Sequence, residues 1–525
     1  MAKLDSLPTE ILLKIVSPLS IQDLAALSLQ CHHLKRVVNL ASPHEYRRFH
    51  FHTVKHVFEF LYTILKKPRI GTFVREIVNN SNSCSAGDHI PPMEKQLLLR
   101  LAIMKAGFDG EQAEALMGDL MVGPPKLSMW DGTLSTRQAL ATLLLAVCPN
   151  VEILRVEYIS WPYFEQLFKM AKTPSKQRNY LQNLRQLDLL RQTGCSTDPD
   201  GSYSIFDVAG HLRLIAHLPS IESFTVRGVW ICGDSVPCWL PPGSSNIKKL
   251  NLCYSQFTDD HLRYLIRHPK ALEEFTFSSG QLIEPVQDER DKNKAKLLGK
   301  KLLCHKSTLK VLDLDVDNYL EYYKYYHYCT GSEGEEEDWE SDDPRVVEPR
   351  FSWEEPDTRL YGETIGSLHD FTALKRLSIG VKALLGGPSR SDDEDWDQES
   401  EKERVPIRLI RDLPPNLEYL CIRGYVPGED PGYTSQMEEF MANKNKWPPS
   451  LKEVHGITEC VSGLPILDED FSGDQFPWEE AESDWSEDVE SSSEDDSEEE
   501  DDSEEEDDSE EGDDLEEDNS EVENN

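Results

Sequence analysis

Apolar positions recur near the helical period over the first forty residues of the chain. Pro8 and Glu10 are typical of a helix start, because Pro8 loses no hydrogen bond in the first turn and Glu10 suits the positive end of the helix dipole. The apolar positions predict three short helices, and they are Leu7, Ile11, Leu12, Ile15, Leu19, Leu24, Leu27 and Leu34. So short a segment cannot bury them all, which indicates a surface that faces a partner. A three-helix segment without a partner is the alternative.

A second pattern repeats through the middle of the chain: an apolar residue, two variable ones, a leucine, one variable residue and a further apolar one. Clear copies begin at Val151, Leu184, Ile221, Ile247, Leu272, Leu309, Leu374 and Leu417, and weaker ones at Val74 and Leu451. The last two apolar positions alternate with a polar residue, as a strand with one buried face requires. Helical patterns lie between the copies, for example over residues 134–147 and 261–268.

Strands and helices in this alternation predict a leucine-rich-repeat solenoid of about ten units. Each unit would add one strand to a parallel sheet, and the helices would cover the outer face. The spacing is irregular and longer than the roughly 20–29 residues of a standard leucine-rich repeat. An ordinary doubly wound α/β sheet is the alternative.

The net charge of −43 is concentrated in three segments. Residues 468–525 hold 33 acidic and no basic residues, residues 332–357 hold 12 and 2, and residues 391–404 hold 8 and 2. The rest of the chain has 44 acidic and 50 basic residues and is mildly basic. Such acidic segments bury too little apolar surface to offset chain entropy, so we predict two disordered loop insertions and a disordered tail.

The N-terminal segment resembles an F-box. That family has a pattern of Leu-Pro-x-Glu-Ile-Leu, an aliphatic residue, Leu-Ser, Asp-Leu and Cys, and this chain supplies it as Leu7, Pro8, Glu10, Ile11, Leu12, Ile15, Leu19, Ser20, Asp23, Leu24 and Cys31. Leu34 stands where many F-boxes carry Trp. With its repeats, the whole chain is similar to fungal F-box proteins with divergent leucine-rich repeats, and residues 143–154 and 370–380 are typical of them.

The resemblance implies a non-catalytic substrate-recognition subunit of an SCF-type cullin–RING E3 ubiquitin ligase. The F-box would dock on the small adaptor subunit and, through it, on a cullin. By analogy, the docking contacts would come from Leu7, Pro8, Ile11, Leu12, Ile15, Leu19, Leu24 and Leu27. Some of these residues must instead hold the helices together, and the sequence does not separate the two sets.

The expected organisation is α/β: a three-helix F-box over residues 1–45, the solenoid over 46–467 with acidic insertions at 332–357 and 391–404, and the tail over 468–525. An unknown protein substrate would bind the inner sheet face or its rim. Variable strand residues point there, and they are Arg155, Asp188, Thr225, Arg227, Asn251, Thr276, Asp313, Asp315 and Arg423. For any one of them, a solvated residue without a role is the favoured alternative.

No catalytic constellation, cofactor or metal site is predicted. Residues 386–388 lack the Lys-Ser/Thr of a phosphate-binding loop, and His50, His52 and His56 have no cysteine or acidic ligand at zinc spacing. The eleven cysteines lack CxxC spacing, and neither a signal-peptide pattern nor an apolar run of about 18 residues is present. We therefore expect a cytoplasmic or nuclear protein that binds neither membranes nor nucleic acid directly.

The acidic tail has three interpretations: it keeps the protein soluble, it binds basic partners such as histones or ribosomal proteins, or it folds back on the basic solenoid. Serines with an acid three residues later are phosphorylation candidates, namely Ser491, Ser492, Ser493, Ser497 and Ser503. Two further functions stay open. One is a leucine-rich-repeat scaffold without ubiquitin transfer, and the other is an acidic chaperone of basic proteins.

Overall fold

The computed structural model describes only part of the chain. The described residues are 7–16, 26–27, 29–41, 46–51, 53–79, 93–121, 129–157, 161–172, 180–190, 204–205, 208–230, 241–255, 257, 259–279, 294–317, 364–386 and 407–463. The chain divides into two units, Met1–Gly473 and Asp474–Asn525, and all described residues belong to the first. Several predictions fall outside them: those for Leu19 and Leu24, the two acidic insertions, the tail and its five serines.

Eleven strands form one parallel sheet, and two more form a small parallel pair. The strands are β1 (Arg48–Phe51), β2 (Glu76–Asn79), β3 (Ile153–Glu157), β4 (Gln186–Leu190), β5 (Ser204–Ile205), β6 (Ser223–Arg227), β7 (Val229–Trp230), β8 (Lys249–Cys253), β9 (Glu274–Ser278), β10 (Val311–Asp315), β11 (Arg376–Gly380), β12 (Tyr419–Arg423) and β13 (Glu453–His455). The large sheet has the order β1-β2-β3-β4-β6-β8-β9-β10-β11-β12-β13, and β5 pairs with β7.

The helices of the described residues lie before and between these strands. They are α1 (Thr9–Val16), α2 (His32–Ala41), α3 (Val54–Lys66), α4 (Met93–Ala106), α5 (Gly110–Met121), α6 (Met129–Val147), α7 (Trp161–Ala171), α8 (Val208–Ile215), α9 (Asp259–Arg267), α10 (Lys294–Leu302), α11 (Val381–Leu385), α12 (Leu409–Asp412) and α13 (Pro431–Ala442). Short 3₁₀ turns occur at Ile70–Thr72, Leu303–His305 and Lys444–Lys446.

The strand order confirms the predicted α/β repeat architecture. Each of the ten sequence copies contains one strand of the large sheet, and every strand pairs with the next copy along the chain. A doubly wound sheet reverses its strand order at a switch point, and this sheet has no reversal. Strand β1 was not predicted, because its four residues belong to no copy of the repeat.

One face of the sheet supplies the hydrophobic core. The second residues of the five-residue strands form a buried rung: Leu154, Leu187, Phe224, Leu250, Phe275, Leu312, Leu377 and Leu420. The fourth residues form another, from Val156 to Ile422. Each such side chain contributes about 1.5–3 kcal/mol when it is removed from water. The first, third and fifth residues of the strands lie on the opposite face, which we call the inner face.

Asparagine side chains link successive repeats just before their strands. The Nδ2 atom of Asn150 donates to the Thr72 carbonyl at 2.7 Å, and that of Asn416 donates to the Thr372 carbonyl at 2.8 Å. Asn183 makes the same kind of bond to the carbonyl of Pro149. These bonds satisfy backbone groups in the turns, and each of the three asparagines stands directly before a sequence copy.

Candidate functional site

The N-terminal helices have a small hydrophobic cluster of their own. Pro8 directly precedes helix α1, and its carbonyl accepts from the backbone N–H groups of Ile11 and Leu12 at 3.0 Å each. The cluster consists of buried side chains from α1 and α2, namely Leu12, Val16, Leu34 and Val37, with Leu7, Leu27 and Cys31 packed against it. Burial of these side chains holds α1 to α2.

A second set of apolar side chains points away from this cluster. Ile11 and Ile15 are 44% and 38% exposed, whereas Leu12 between them is fully buried. Residues four apart share a helix face, so Ile11 and Ile15 form one outward apolar strip, and Pro8 at the start of α1 is also exposed. The structure therefore divides the predicted adaptor residues into an outward set of Pro8, Ile11 and Ile15 and an inward set formed by Leu12 with the partly buried Leu7 and Leu27.

The inner face holds all nine residues that the sequence analysis proposed for substrate contact. The strand register places six of them on one rung from β3 to β10: Arg155, Asp188, Thr225, Asn251, Thr276 and Asp313. The other three lie two residues further along their strands: Arg227, Asp315 and Arg423. Contact of any of them with a target stays a prediction.

Charged side chains at the β1–β4 end of this face pair with one another. The Nε atom of Arg48 lies 2.7 Å from Oε2 of Glu76, and Nη1 of Arg155 lies 3.5 Å from Oε1 of Glu76. The Asp188 Oδ2 atom accepts from Arg155 Nε at 3.2 Å and from Gln186 Nε2 at 2.8 Å. Burial raises the pKa of Asp188, although Gln186 and Arg155 oppose that effect.

The side chains of this network bind to one another across four strands, β1 to β4, rather than to a ligand. The carboxylates of Glu76 and Asp188 are buried, and removal of one partner would leave a buried charge uncompensated. We infer that Arg155 and Asp188 chiefly fix the pairing of β2, β3 and β4.

A bidentate ion pair occupies the inner face near its other end. Arg423 donates from Nη1 to Oδ1 of Asp313 at 2.6 Å and from Nη2 to Oδ2 at 3.3 Å. The pair reaches from β12 to β10 across β11, where the residue paired with Arg423 is Gly380. Burial lowers the pKa of Arg423, but the Asp313 carboxylate outweighs this effect and raises the pKa above its usual value.

Asp317, just beyond β10, anchors the following helix. Its carboxylate accepts from the backbone N–H groups of Lys382 at 2.8 Å and Ala383 at 2.9 Å, at the start of α11. Burial raises the pKa of Asp317 to about 6 despite these two hydrogen bonds. A Cβ atom at Gly380 would collide with this carboxylate, so the glycine leaves room for the anchor.

On the inner face, the third residues of the strands form a rung, and the middle of this rung carries neutral polar groups. Asn251 Nδ2 donates to Thr225 Oγ1 at 3.3 Å, and Thr276 follows on the next strand. Asn251 and Thr276 are half-buried. This stretch lies between the two ion-paired regions and offers hydrogen-bonding groups without a formal charge. Of the predicted substrate residues, these suit a polar segment of a target protein best.

Sequence reasoning missed several residues of these surfaces, including Arg48 on the unpredicted strand β1. Glu76 and Gln186 complete the ion-pair network. The sequence signal that could have identified them is their position as the first strand residue of a repeat copy. Leu29 is 84% exposed between α1 and α2, close in sequence to the predicted Leu27. An apolar residue between two helical patterns gives no sequence signal for its exposure.

A separate cleft of about 390 Å³ lies beside α10. Cationic and acidic side chains line it together, including Lys296, Lys300, Arg411 and Asp412. The Nη2 atom of Arg411 lies 2.8 Å from Oδ2 of Asp412, and Arg411 contributes to the lowered pKa of Asp412, which burial opposes. Because positive and negative side chains line this cleft together, its charge indicates no particular class of ligand.

Comparison with known protein families identifies the N-terminal segment. Residues 4–51 match the F-box-like family, so the chain carries an F-box-like domain there. The match includes the whole α1–α2 cluster and extends through β1, the first strand of the sheet. A comparison with curated proteins gives no match.

Two features are absent from the residues that the structure describes. Among them, no group of three or more His, Cys, Asp or Glu side chains is placed to hold a metal ion. Within the same residues, no helix combines the length and the apolar character needed to cross a membrane.

Proposed function

We propose that this chain is a non-catalytic substrate receptor of an SCF-type cullin–RING ubiquitin ligase. The F-box-like match over residues 4–51 carries the proposal. The exposed strip of Ile11 and Ile15 supports it, because α1 fills its own cluster with Leu12 and Val16 and still presents apolar surface. We assign that strip, with Pro8, to the small adaptor subunit.

We propose the remaining organisation on the same basis. Residues 1–45 form the F-box, residues 46–467 form a divergent leucine-rich-repeat solenoid of the fungal type, and residues 468–525 form an acidic tail. The parallel sheet with one strand per repeat supports the middle assignment. The acidic composition of residues 332–357, 391–404 and 468–525 supports their assignment as insertions and tail.

The contribution of this chain to ubiquitin transfer is proximity. One surface holds the ligase through the adaptor and another holds the target, so target lysines gain a high effective concentration beside the conjugating enzyme. Under this proposal no side chain of the chain touches the reacting bond. Asn251 and Thr276, the half-buried residues of the neutral rung, are the proposed centre of target binding.

Partner identification tests the proposal directly. The full chain and an Ile11→Asp/Ile15→Asp variant would be purified from proteasome-inhibited cells, with Val426→Asp, also at an exposed apolar residue, as the control. We expect the adaptor and a cullin with the wild type and the control, and neither with the double variant. Targets that accumulate in cells with the double variant support a receptor.

Other results favour the alternatives. Adaptor binding with unchanged target levels would favour a repeat scaffold without ubiquitin transfer. Recovery of basic proteins that depends on residues 468–525, without any adaptor, would favour an acidic chaperone.

A further inference from the structure

Helix α4 has apolar side chains on two opposite sides. Leu99, Ala102, Ile103 and Ala106 are buried in the main core. On the other side, four large apolar residues are exposed: Met93 by 85%, Leu97 by 62%, Leu101 by 47% and Met104 by 68%. These are four of the nine exposed large apolar side chains in the part of the chain that the structure describes.

The exposed residues form one continuous stripe, which we call the α4 stripe. At about 100° per residue, Met93, Met104, Leu97 and Leu101 fall within roughly 80° of the helix circumference. A helix of 14 residues is about 21 Å long, and the stripe runs along most of it. Monomeric proteins rarely leave such a contiguous apolar surface open, which indicates a partner.

We infer that the α4 stripe packs against the same stripe of a second copy of this chain, with the two helices antiparallel about a two-fold axis. The spacing of the stripe is self-complementary in this arrangement. Met93 faces the partner subunit's Met104, and Leu97 faces the partner subunit's Leu101. An isologous interface requires such a pairing of each residue with another residue of the same patch.

The charges beside the stripe fit the same arrangement. Glu94 in the first turn and Lys105 in the last turn both flank the stripe on one side, at about 100° and 120° from Met93 around the helix. A two-fold axis between antiparallel helices brings the same side of each helix together. Glu94 therefore lies beside the partner subunit's Lys105 at both ends of the interface. In a parallel pair about a two-fold axis, the two Glu94 side chains would lie on opposite sides of the interface, and this charge match would be lost.

The other flank does not oppose the pairing. Arg100 lies there, and its Nη1 atom is 2.7 Å from Oε1 of Glu114 on α5, so its charge is already compensated. A foreign amphipathic helix could cover the same stripe. The two-fold match of both apolar and charged positions favours a second copy.

The interface of one helix pair is small, so we expect a weak dimer with a Kd of roughly 1–100 µM. Such a dimer would carry two copies of the inner face and bind a repetitive target with avidity. The inference does not rest on the proposed ligase function, because self-association is measured on the purified chain alone.

Sedimentation velocity of the full chain over a range of concentrations measures the association. We expect a monomer–dimer equilibrium that Leu97→Glu weakens by roughly tenfold or more, because a charge replaces a central apolar contact. Val426→Glu, at another exposed apolar residue, serves as the control and leaves the Kd unchanged. Far-UV circular dichroism and thermal unfolding confirm that each variant folds.

Charge exchange tests the antiparallel geometry. Glu94→Lys and Lys105→Glu each place like charges together twice, so each weakens the dimer by about two- to tenfold at low salt. The variant with both exchanges restores the Kd of the wild type. A chain that stays monomeric up to about 100 µM, a dimer that Leu97→Glu does not weaken, or a double exchange as weak as the single ones would overturn the inference.

Discussion

Neighbouring apolar residues of α1 have opposite roles. Leu12 is fully buried against α2, while Ile11 and Ile15 face outward. The sequence predicted all of them as apolar positions of one helix, because the helical period marks both sides of so hydrophobic a segment. Only the position of α2 separates the residues that hold the fold from those available to a partner.

Truncation of these residues distinguishes the two roles. Leu12→Ala leaves a cavity in a small cluster, so we expect a loss of about 2–5 kcal/mol in the stability of the N-terminal domain. Ile11→Ala shortens a side chain that is 44% exposed, so it should cost less, about 0.5–1 kcal/mol. Hydrogen exchange of the α1 and α2 amides measures both. Equal protection in the two variants would contradict the division.

A buried histidine gives the stability a dependence on pH. His268 is 1% exposed, its Nδ1 atom lies 3.1 Å from Ser244 Oγ, and its ring stacks on Tyr264. Burial lowers the pKa of His268 to about 4. In the unfolded chain this histidine binds a proton near pH 6.5, whereas in the folded chain it does not. Its contribution to stability is therefore present above about pH 6.5 and lost as the pH falls toward 4.

His268→Gln removes this titration. We expect the wild type to lose about 1–2 kcal/mol more than the variant between pH 7 and pH 5, as measured by urea unfolding. His305→Gln is a useful comparison, because burial lowers the pKa of His305 as well. Identical pH dependence in the wild type and His268→Gln would show that this ring does not stay neutral in the fold.

At the level of elements, the repeat pattern predicted the strands well. Ten copies gave ten strands, since a leucine and a second apolar residue two positions later both face the core. Strand β1 lacks the repeat leucine and instead packs Phe49 and Phe51 into the core, so a leucine-based pattern could not identify it. The asparagines before the copies were visible in the sequence, but their bonds to the preceding repeat were not.

Glycines in two helices test how closely the elements pack. A Cβ atom at Gly299 in α10 would collide with the backbone carbonyl of Ile365, whereas one at Gly118 in α5 meets nothing within 4 Å. We expect Gly299→Ala to destabilise the fold by about 1–3 kcal/mol and Gly118→Ala to stabilise it by about 0.5–1 kcal/mol. Thermal unfolding compares the two. A stabilising Gly299→Ala would contradict the close approach of α10 to residue 365.

Across the whole molecule, the inner face could be predicted in position but not in chemistry. The strand register placed the nine proposed residues on two rungs, because a period of two is fixed by the pleat. The sequence could not show that Arg423 is bound to Asp313, 110 residues away, or that Arg155 joins Glu76 to Asp188. These long-range pairs give four of the proposed residues partners within the sheet, and their contact with a target stays a prediction.

Substitution on the neutral rung tests where a target binds. Asn251→Arg/Thr276→Arg adds bulk and charge at half-buried inner-face positions that are not part of the ion pairs. We expect target recovery from cells to fall at least about tenfold while adaptor recovery is unchanged. Glu438→Arg on the exposed side of α13 is the matched control. Full target recovery by the double variant would place target binding elsewhere.

The most direct test of the account is the affinity of the purified full chain for the purified cullin adaptor, measured by calorimetry beside Ile11→Asp/Ile15→Asp and Val426→Asp. We predict a tight complex for the wild type and for Val426→Asp, and a loss of at least about a hundredfold for the double variant with its α1–α2 cluster intact. A folded wild-type chain that does not bind the adaptor, or a double variant that binds it equally well, would contradict the assignment of this helical surface to the ligase.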